Sequence, residues 1–328
     1  AVEKLSGDLC ISRPKSRLNW GIELPFDTEY VTYVWFDALI NYISFAGYLS
    51  EGGENLPRFE SLWPAAAHVI GKDILIPAHG IYWTIMLHGM GFADSQIPSF
   101  LVHGWWNIGG AKISKSLGNT VDPNVLVERY GAAALRYYLM ADIVTGKDSD
   151  FSEERLRGRY NDELANNVGN LLNRTLNMSA RYKGSVLRNV AVDHELLHSL
   201  AVTEFPQAVA AYFAAMGDYQ VDAALRAVIG LARFCNQVIE SIAPWKLAKD
   251  TAQSDLLDAV LYHLAESIRV VAILLEPVLP DAARGIFRQL QINSEPQLAD
   301  AVWGVLLDGH ILGAPTPLFP RLEAPAEV

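Results

Sequence analysis

Gly109-Gly110-Ala111-Lys112-Ile113-Ser114-Lys115-Ser116-Leu117-Gly118-Asn119 is the stretch from which the rest of this chain is best read. Two lysines and two serines alternate at its centre, and glycines flank them on both sides. Lysine places a compact positive charge on a flexible stem, and serine adds a hydroxyl donor. A mobile loop of this kind can close over a polyphosphate and neutralise charge as it shifts in a transition state. An exposed basic turn has the same central residues, so the surroundings must decide between the two.

Those surroundings differ on the two sides. Before residue 145, Val31 to Phe36, Ala67 to Ile70 and Phe100 to His103 read as buried strands. They alternate with helical stretches at Asp37 to Leu49, Asp73 to Met90, Pro123 to Tyr130 and Ala132 to Ala141. Such alternation predicts an α/β layer with at least some parallel strands. Gly71-Lys72-Asp73 then falls where a strand ends and a helix begins, the ligand-binding edge of an open α/β sheet. After Asp150 the pattern is wholly helical, with helices near 153–182, 193–216, 219–241, 252–276 and 280–290. Pro244 and Pro277 mark boundaries, because proline removes a donor and disfavours helix just before it. Helices of this length predict an antiparallel bundle. Ala314 to Val328 is proline-rich and predicted to be extended. The expected organisation is thus an α/β region over residues 1–150 and an all-α region over residues 151–328.

Composition excludes several classes. A chain of 328 residues has room for about two domains, and 51% hydrophobic with 19% charged residues is an ordinary globular balance. No apolar run approaches the roughly 18 residues that span a bilayer. Ala1 to Asp8 lack the apolar core of a secretory signal. Cys10 and Cys235 are far apart and without metal-ligand spacing, which fits thiols in a reducing cytoplasm. A net charge of −11 argues against a general nucleic-acid binder, yet leaves room for a local patch. Arg155, Arg157 and Arg159 form one candidate; Arg174, Arg181, Lys183 and Arg188 form another.

Three constellations carry chemistry. Trp35, Ala38, Leu39 and Tyr42 fall at i, i+3, i+4 and i+7, one helix face, and His79 and Trp83 are four apart on the next helix. Faces that met would form an aromatic-walled pocket with one imidazole, suited to a polarisable thioether at ~0.3–1.5 kcal/mol per sulfur–aromatic contact; plain core packing is the alternative. On the long helix from Tyr160, Leu164, Val168, Leu171, Leu172 and Leu176 make an apolar stripe, while Glu163, Asn167, Asn170, Arg174 and Asn177 line the opposite side. Asparagine is a poor choice for a merely solvated helix face. Amides and guanidinium suit the edges of unstacked bases, or hydrogen bonds between helices. Trp245, after Ala243-Pro244, can staple a helix end or stack on a base at ~1–3 kcal/mol.

The order of these features is specific. Tyr33-Val34-Trp35-Phe36-Asp37-Ala38-Leu39, Ile70-Gly71-Lys72-Asp73-Ile74, His103-Gly104-Trp105 and the Lys112 to Asn119 loop occur in a sequence that closely resembles the methionyl-tRNA synthetase family. Ala134-Leu135-Arg136-Tyr137-Tyr138, Leu171-Leu172-Asn173-Arg174 and Ala243-Pro244-Trp245 continue the match over nearly the whole chain. The resemblance implies the second half of a Rossmann-type class I catalytic domain followed by an all-α anticodon-binding bundle. It implies ATP-dependent formation of methionyl-adenylate, with Mg2+ accompanying ATP, then transfer to the 3′ end of tRNA(Met). Lys115 would stabilise the transferred phosphoryl region, with Lys112, Ser114 and Ser116 in the same loop. Gly71, Asp73, His103, Trp105 and Trp106 would border ATP. Trp35, Ala38, Leu39, Tyr42, His79 and Trp83 would hold methionine, and Asn170, Arg174 and Trp245 would read the CAU anticodon. Cytoplasmic location, no membrane partner, and a monomer when complete are also implied.

Departures accompany the match. Ile113 stands where the family loop usually has methionine, an apolar exchange of similar volume. The segment Leu75-Ile76-Pro77-Ala78 is about one residue longer than the common family form, so either Leu75 or Ile76 faces the pocket. The His-Ile-Gly-His signature, the connecting insertion, the zinc-binding cysteines and the carboxylate for the methionine ammonium do not occur here. The chain is therefore expected to be the C-terminal portion of a synthetase, without zinc ligands and inactive alone. The competing expectations are a non-catalytic tRNA-anticodon-binding fragment and a class I synthetase for leucine or cysteine.

Overall fold

Val31 to Phe36 changes its period midway, and the backbone changes with it. In the computed structural model, which describes residues 10–50, 59–64, 67–113 and 118–324, strand β3 runs Asp27–Thr32 and helix α1 runs Val34–Phe45, separated by extended Tyr33. The strand expected over residues 31–36 is therefore corrected. Val34 and Phe36 point to solvent, while Leu39 and Ile43 are buried, so the 3.6-residue period overrides the β-branched composition. Strands β1 (Ser12–Pro14) and β2 (Glu23–Leu24) flank β3 in an antiparallel sheet of order β1-β3-β2.

The chain divides into two compact units, Ala1–Trp105 and Trp106–Val328. In the first, after helix α2 (Phe59–Leu62), strands β4 (Ala67–Gly71) and β5 (Ser99–His103) pair in parallel from Ala67↔Ser99 to Gly71↔His103. A parallel pair requires a crossover, and residues 72–98 supply it. The crossover is not the single helix expected over residues 73–90. Ile76, immediately before Pro77, is extended at φ −117° and ψ 127°, as steric conflict with the proline ring demands. A wide, π-type turn over Leu75–Trp83 follows, then helix α3 (Thr84–Gly89). Leu39, Ile43, Trp63, Trp83, Leu87 and Phe92 form the core of this unit.

In the second unit, strands β6 (Trp106–Ile108), β7 (Ala111–Lys112) and β8 (Ser149–Asp150) form a sheet of order β7-β6-β8, antiparallel within the hairpin and parallel between β6 and β8. Gly109 and Gly110 have φ of 58° and 76°, the two positive values that a two-residue hairpin turn requires. Helices α4 (Pro123–Tyr130) and α5 (Ala132–Asp142) lie between β7 and β8 in sequence, and Asp122 caps α4 at the Asn124 amide, 2.8 Å away.

Helix α6 (Glu153–Arg159), N-capped by Ser152, continues through wide turns at residues 160–169 into α7 (Asn170–Lys183). Then come α8 (Glu195–Ser199), α9 (Phe205–Gly217), α10 (Val221–Ile242), α11 (Pro244–Leu247), α12 (Ser254–Leu275) and α13 (Pro280–Gln289). These correspond closely to the helices expected from the pattern. Helix α12 is buried on every face from Leu257 to Leu275 apart from His263, which marks it as the centre of the bundle.

Two charges sit in that centre. Glu266 and Arg269 are 0% and 2% exposed, and Arg269 Nη2 lies 2.7 Å from Glu266 Oε1. Their remaining capacity ties down the segment after α13. Arg269 donates to the carbonyls of Asp300 and Val302, and Glu266 accepts from the amides of Val305 and Leu306. Removing one member of a buried ion pair leaves an uncompensated charge, at a cost of about 3–5 kcal/mol. Glu266→Ala is accordingly expected to lower stability by that amount, read as an earlier loss of helical circular dichroism in urea; a midpoint within error of the parent's would show that the pair does not hold the segment.

Candidate functional site

The aromatic cage of the first unit is assembled by a chain of hydrogen bonds. His79 Nδ1 donates to the Ile74 carbonyl at 2.8 Å, which leaves Nε2 to accept from the Tyr42 hydroxyl, also at 2.8 Å. In the neutral ring this pairing selects the Nδ1–H tautomer, and it joins α1 to the crossover turn. Trp35 meets His79 edge-on at 6.3 Å between ring centroids, and Tyr42 lies 5.7 Å from Trp83. His79 and Trp83 are buried, Leu39 is buried beneath α1, and Trp35, Ala38 and Tyr42 are half-buried. All six residues expected to hold methionine are therefore on the two packed elements, four of them in ring contact. Of the two alternatives in the crossover, Ile76 is exposed and Leu75 half-buried.

Three members of the cage escaped the sequence reading. His68 stacks on Tyr42 at 4.3 Å and accepts from Trp83 Nε1 at 3.1 Å, and both Phe100 and Trp63 lie 5.9 Å from it. The signal was the alternation along Ala67–Gly71, where His68 and Ile70 are buried and Val69 is exposed. Burial, with the neighbouring His79 as a second cause, lowers the His68 pKa from 6.5. The Trp83 indole bond requires this neutral form.

The strand edge collects the expected nucleotide residues of the same unit. Gly71 pairs with His103 in register, and the Lys72 amide donates to the His103 carbonyl at 3.1 Å. A Cβ at Gly71 would stand 2.8 Å from Asp73 Oδ1 and 3.7 Å from His103 Cε1, so the absence of a side chain keeps these two groups close to the backbone. Lys72 Nζ lies 4.2 Å from the Trp105 ring centroid. Trp106 belongs to the second unit, where its ring packs on Tyr138 and Phe151 at 5.5 and 6.3 Å.

Lys112 ends the hairpin, and its carbonyl accepts from Asn119 Nδ2 at 3.2 Å, which joins the two flanks of the lysine–serine loop. The Gly110 amide donates to Asp150 Oδ1 at 2.8 Å. Ser114, Lys115 and Ser116 lie outside the described residues. Among the described residues no group of three His, Cys, Asp or Glu side chains is arranged to hold a metal ion, and no helix is long and apolar enough to cross a membrane. Cys10 is exposed, and burial pushes the Cys235 thiol up to about 12.

On the bundle, α7 and α10 run alongside one another with a polar seam between them. Asn170 Nδ2 reaches Asn236 Oδ1 at 3.5 Å, and Arg174 Nη1 pairs with Glu240 at 2.6 Å. Helix α10 ends at Ala243 in the left-handed conformation, φ 53°, and Pro244 starts α11. That reversal brings the half-buried Trp245 ring to 5.8 Å from the Arg174 guanidinium. Asn170, Arg174 and Trp245 thus share one surface. The expected amide stripe is corrected at its N-terminal end. Asn167 is 5% exposed and bonded to Asn236 and the Ile229 carbonyl, and Glu163 accepts from Tyr137, so both serve helix packing. A groove of about 510 Å³ beside Asn170 is lined by Asn166, Asn173, Phe319 and Arg321 among others.

Residues 2–176 match the family described as tRNA synthetases class I (M), and residues 193–327 match the anticodon binding domain of methionyl tRNA ligase. The chain is 39% identical over 325 residues to the methionine–tRNA ligase of Caldanaerobacter subterraneus subsp. tengcongensis, covering 98% of this chain and 49% of that protein. It is 41% identical over 327 residues to the Bacillus subtilis enzyme of the same name, covering 98% and 47%. The chain spans about half the length of the curated relatives it matches. Among solved structures, Mycobacterium tuberculosis methionyl-tRNA synthetase in complex with methionyl-adenylate superposes with a TM-score of 0.86 at 33% identity, over 96% of this chain and 61% of that one. Matching family regions over both its catalytic-type and helical parts place the chain in the class I methionyl-tRNA synthetase family, with a Rossmann-like catalytic fold followed by an anticodon-binding domain.

Proposed function

We propose that this chain supplies the methionine cage, the nucleotide edge and the anticodon face of a methionine–tRNA ligase. The observation that carries the reading is the cage itself, in which Trp35, Tyr42 and Trp83 gather around a doubly hydrogen-bonded His79. Aromatic walls and an uncharged imidazole favour a thioether over a charged or strongly hydrated side chain. Ala38 leaves room for the terminal methyl, and Leu39 closes the floor.

In the reaction, the methionine carboxylate attacks the α-phosphorus of ATP, which enters with Mg2+ as substrate, and the bond to the β,γ-pyrophosphate breaks. The adenylate then transfers its methionyl group to a hydroxyl of the terminal adenosine of tRNA(Met), releasing AMP. Gly71, Asp73, His103, Trp105 and Trp106 border the nucleotide. Lys112, Ser114, Lys115 and Ser116 offset the charge that moves onto the departing pyrophosphate, an electrostatic task with no nucleophilic side chain. Asn170, Arg174 and Trp245 read the CAU anticodon through amide and guanidinium hydrogen bonds and ring stacking. Residues 1–150 are assigned to the catalytic part and residues 151–328 to the anticodon-binding part.

Four outcomes test this reading. Trp35→Ala should weaken methionine binding about twofold to tenfold, the range of one sulfur–aromatic contact. In the same calorimetric titration, affinity should still hold at pH 6.5 and fall only at lower pH, once acid reaches the depressed His68 pKa. The sign follows from His68: its folded pKa lies below 6.5, so the folded cage favours the neutral form, and acid places a proton where the Trp83 N–H must donate. Unchanged affinity across both comparisons would remove the cage as the methionine site.

The chain contains no His-Ile-Gly-His tetrad, so these 328 residues alone should show no methionine-dependent ATP–pyrophosphate exchange above background. Robust exchange would show that the present residues suffice for adenylate formation. Trp245→Ala should cost about 1–3 kcal/mol of binding to a CAU-bearing tRNA and leave methionine affinity unchanged. An equal loss for tRNAs with unrelated anticodons would contradict the assignment. CAU-dependent binding without exchange is also what the alternative reading, an anticodon-binding fragment, requires; aminoacylation after addition of a His-Ile-Gly-His-bearing segment separates the two.

A further inference from the structure

Strand β4 turns an imidazole into the core of the first unit. Along Ala67–Gly71 the buried positions are His68 and Ile70, and His68 is 6% exposed. Its surroundings are rings. Tyr42 from α1 stacks on it at 4.3 Å and 24°, while Phe100 from β5 and Trp63, which follows α2, each lie 5.9 Å away. An aliphatic side chain would fill such a place without desolvating two ring nitrogens. What the imidazole adds is an acceptor, and the Trp83 indole uses it, Nε1–H donating to His68 Nε2 at 3.1 Å.

That bond is not a general requirement of this core. Trp63 belongs to the same cluster, 6.5 Å from Trp83, and its Nε1 is buried with no hydrogen-bond partner among the described residues. Of these two tryptophans, the one assigned to the cage is the one that is anchored. An indole held by packing area alone can change its ring angle, because the outer torsion of an aromatic side chain is broad. A hydrogen bond from Nε1 fixes which edge points at β4, and so which part of the ring is left for the cage. The stack on Tyr42 acts on a second wall, whose hydroxyl is already committed to His79. Trp83 and Tyr42 stand 5.7 Å apart at 44° to one another, with His68 against both.

We propose that His68 is a positioning residue of the methionine cage: by accepting the Trp83 N–H and stacking on Tyr42, it sets the orientation of the two aromatic walls that the methionine side chain meets. The inference rests on the reading of the cage as the methionine site and deepens it, since His68 acts through Trp83 and Tyr42 and not on the ligand. Walls held in place before the ligand arrives spare it the cost of ordering them. The titratable groups that face His68 are the Tyr42 phenol on α1 and the His79 imidazole on the crossover turn; Trp63, Trp83 and Phe100 carry no charge. A proton on His68 Nε2 removes the acceptor, so Trp83 is held near neutral pH and released in acid.

The test follows two quantities in the full 328-residue chain: hydrogen exchange at the Trp83 indole by NMR, and methionine affinity by calorimetry. His68→Leu removes the acceptor. It should speed Trp83 indole exchange roughly tenfold or more and weaken methionine about twofold to tenfold, the range of one sulfur–aromatic contact. His68→Gln keeps an uncharged acceptor near the Nε2 position and should match the parent in both near neutral pH. Below pH 6.5 the parent should lose indole protection and affinity together, and His68→Gln should lose neither. Trp35→Ala should weaken methionine while leaving the Trp83 indole protected. Parent-like affinity in a His68→Leu chain whose indole has been released would overturn the positioning role and leave the cage reading standing. Equal acid losses in the parent and in His68→Gln would overturn it as well, and this comparison decides the matter should His68→Leu fail to fold. A parent chain that binds no methionine near neutral pH would instead remove the cage reading, and the inference with it.

Discussion

The hydrogen bond from the Tyr42 hydroxyl to His79 Nε2 is the contact on which the cage depends. It is possible only because the other imidazole nitrogen is committed to the Ile74 carbonyl. That carbonyl is placed by the turn after β4, whose end is paired with β5 at Gly71 and His103. One short chain of polar contacts thus couples the strand edge, the crossover turn and α1. The stacked His68 ring extends it, since its acceptor role toward Trp83 also requires a neutral imidazole. Burial holds the His68 pKa down, and the two imidazoles among aromatic rings give a polarisable interior, which is the environment a thioether prefers.

The bundle follows a different rule. Its central helix α12 is buried nearly all round, and the Glu266–Arg269 pair within it fixes the segment after α13. Polar side chains lie along the seam between α7 and α10, where the amides of Asn167, Asn170 and Asn236 bond to one another and Arg174 lies near Trp245. A surface built this way holds its polar side chains at fixed spacing, because Asn170 and Arg174 are each pinned by a partner on the neighbouring helix.

Much of this was legible from residue order. The helices of the second unit, the parallel β4–β5 pair and the aromatic helix face all follow from hydrophobic period and from proline positions. The misread elements have definite causes. Composition alone made Val31 to Phe36 a strand, but burial of Leu39 and Ile43 sets a helical period from Val34. Pro77 sits inside an otherwise helical pattern and diverts Ile76, so the expected helix becomes a wide turn. Asn167 and Asn170 look alike in sequence. They differ in burial, which is set by how α10 packs on this helix, and Asn236 of α10, some 66 residues away from Asn170, bonds to both. His68 was hidden because strand alternation marks it only as inward-facing, and its partners Tyr42 and Trp83 lie on other elements.

The central claim is that the Trp35, Tyr42, His79 and Trp83 cage receives the methionine side chain. The most direct measurement is an isotope-filtered NMR experiment on the chain saturated with [methyl-13C]methionine. Cross-relaxation from that methyl to ring protons of Trp35, Tyr42 and Trp83 is the predicted result. A bound methyl that contacts none of these rings, or saturating methionine that leaves their resonances unmoved, would contradict the account.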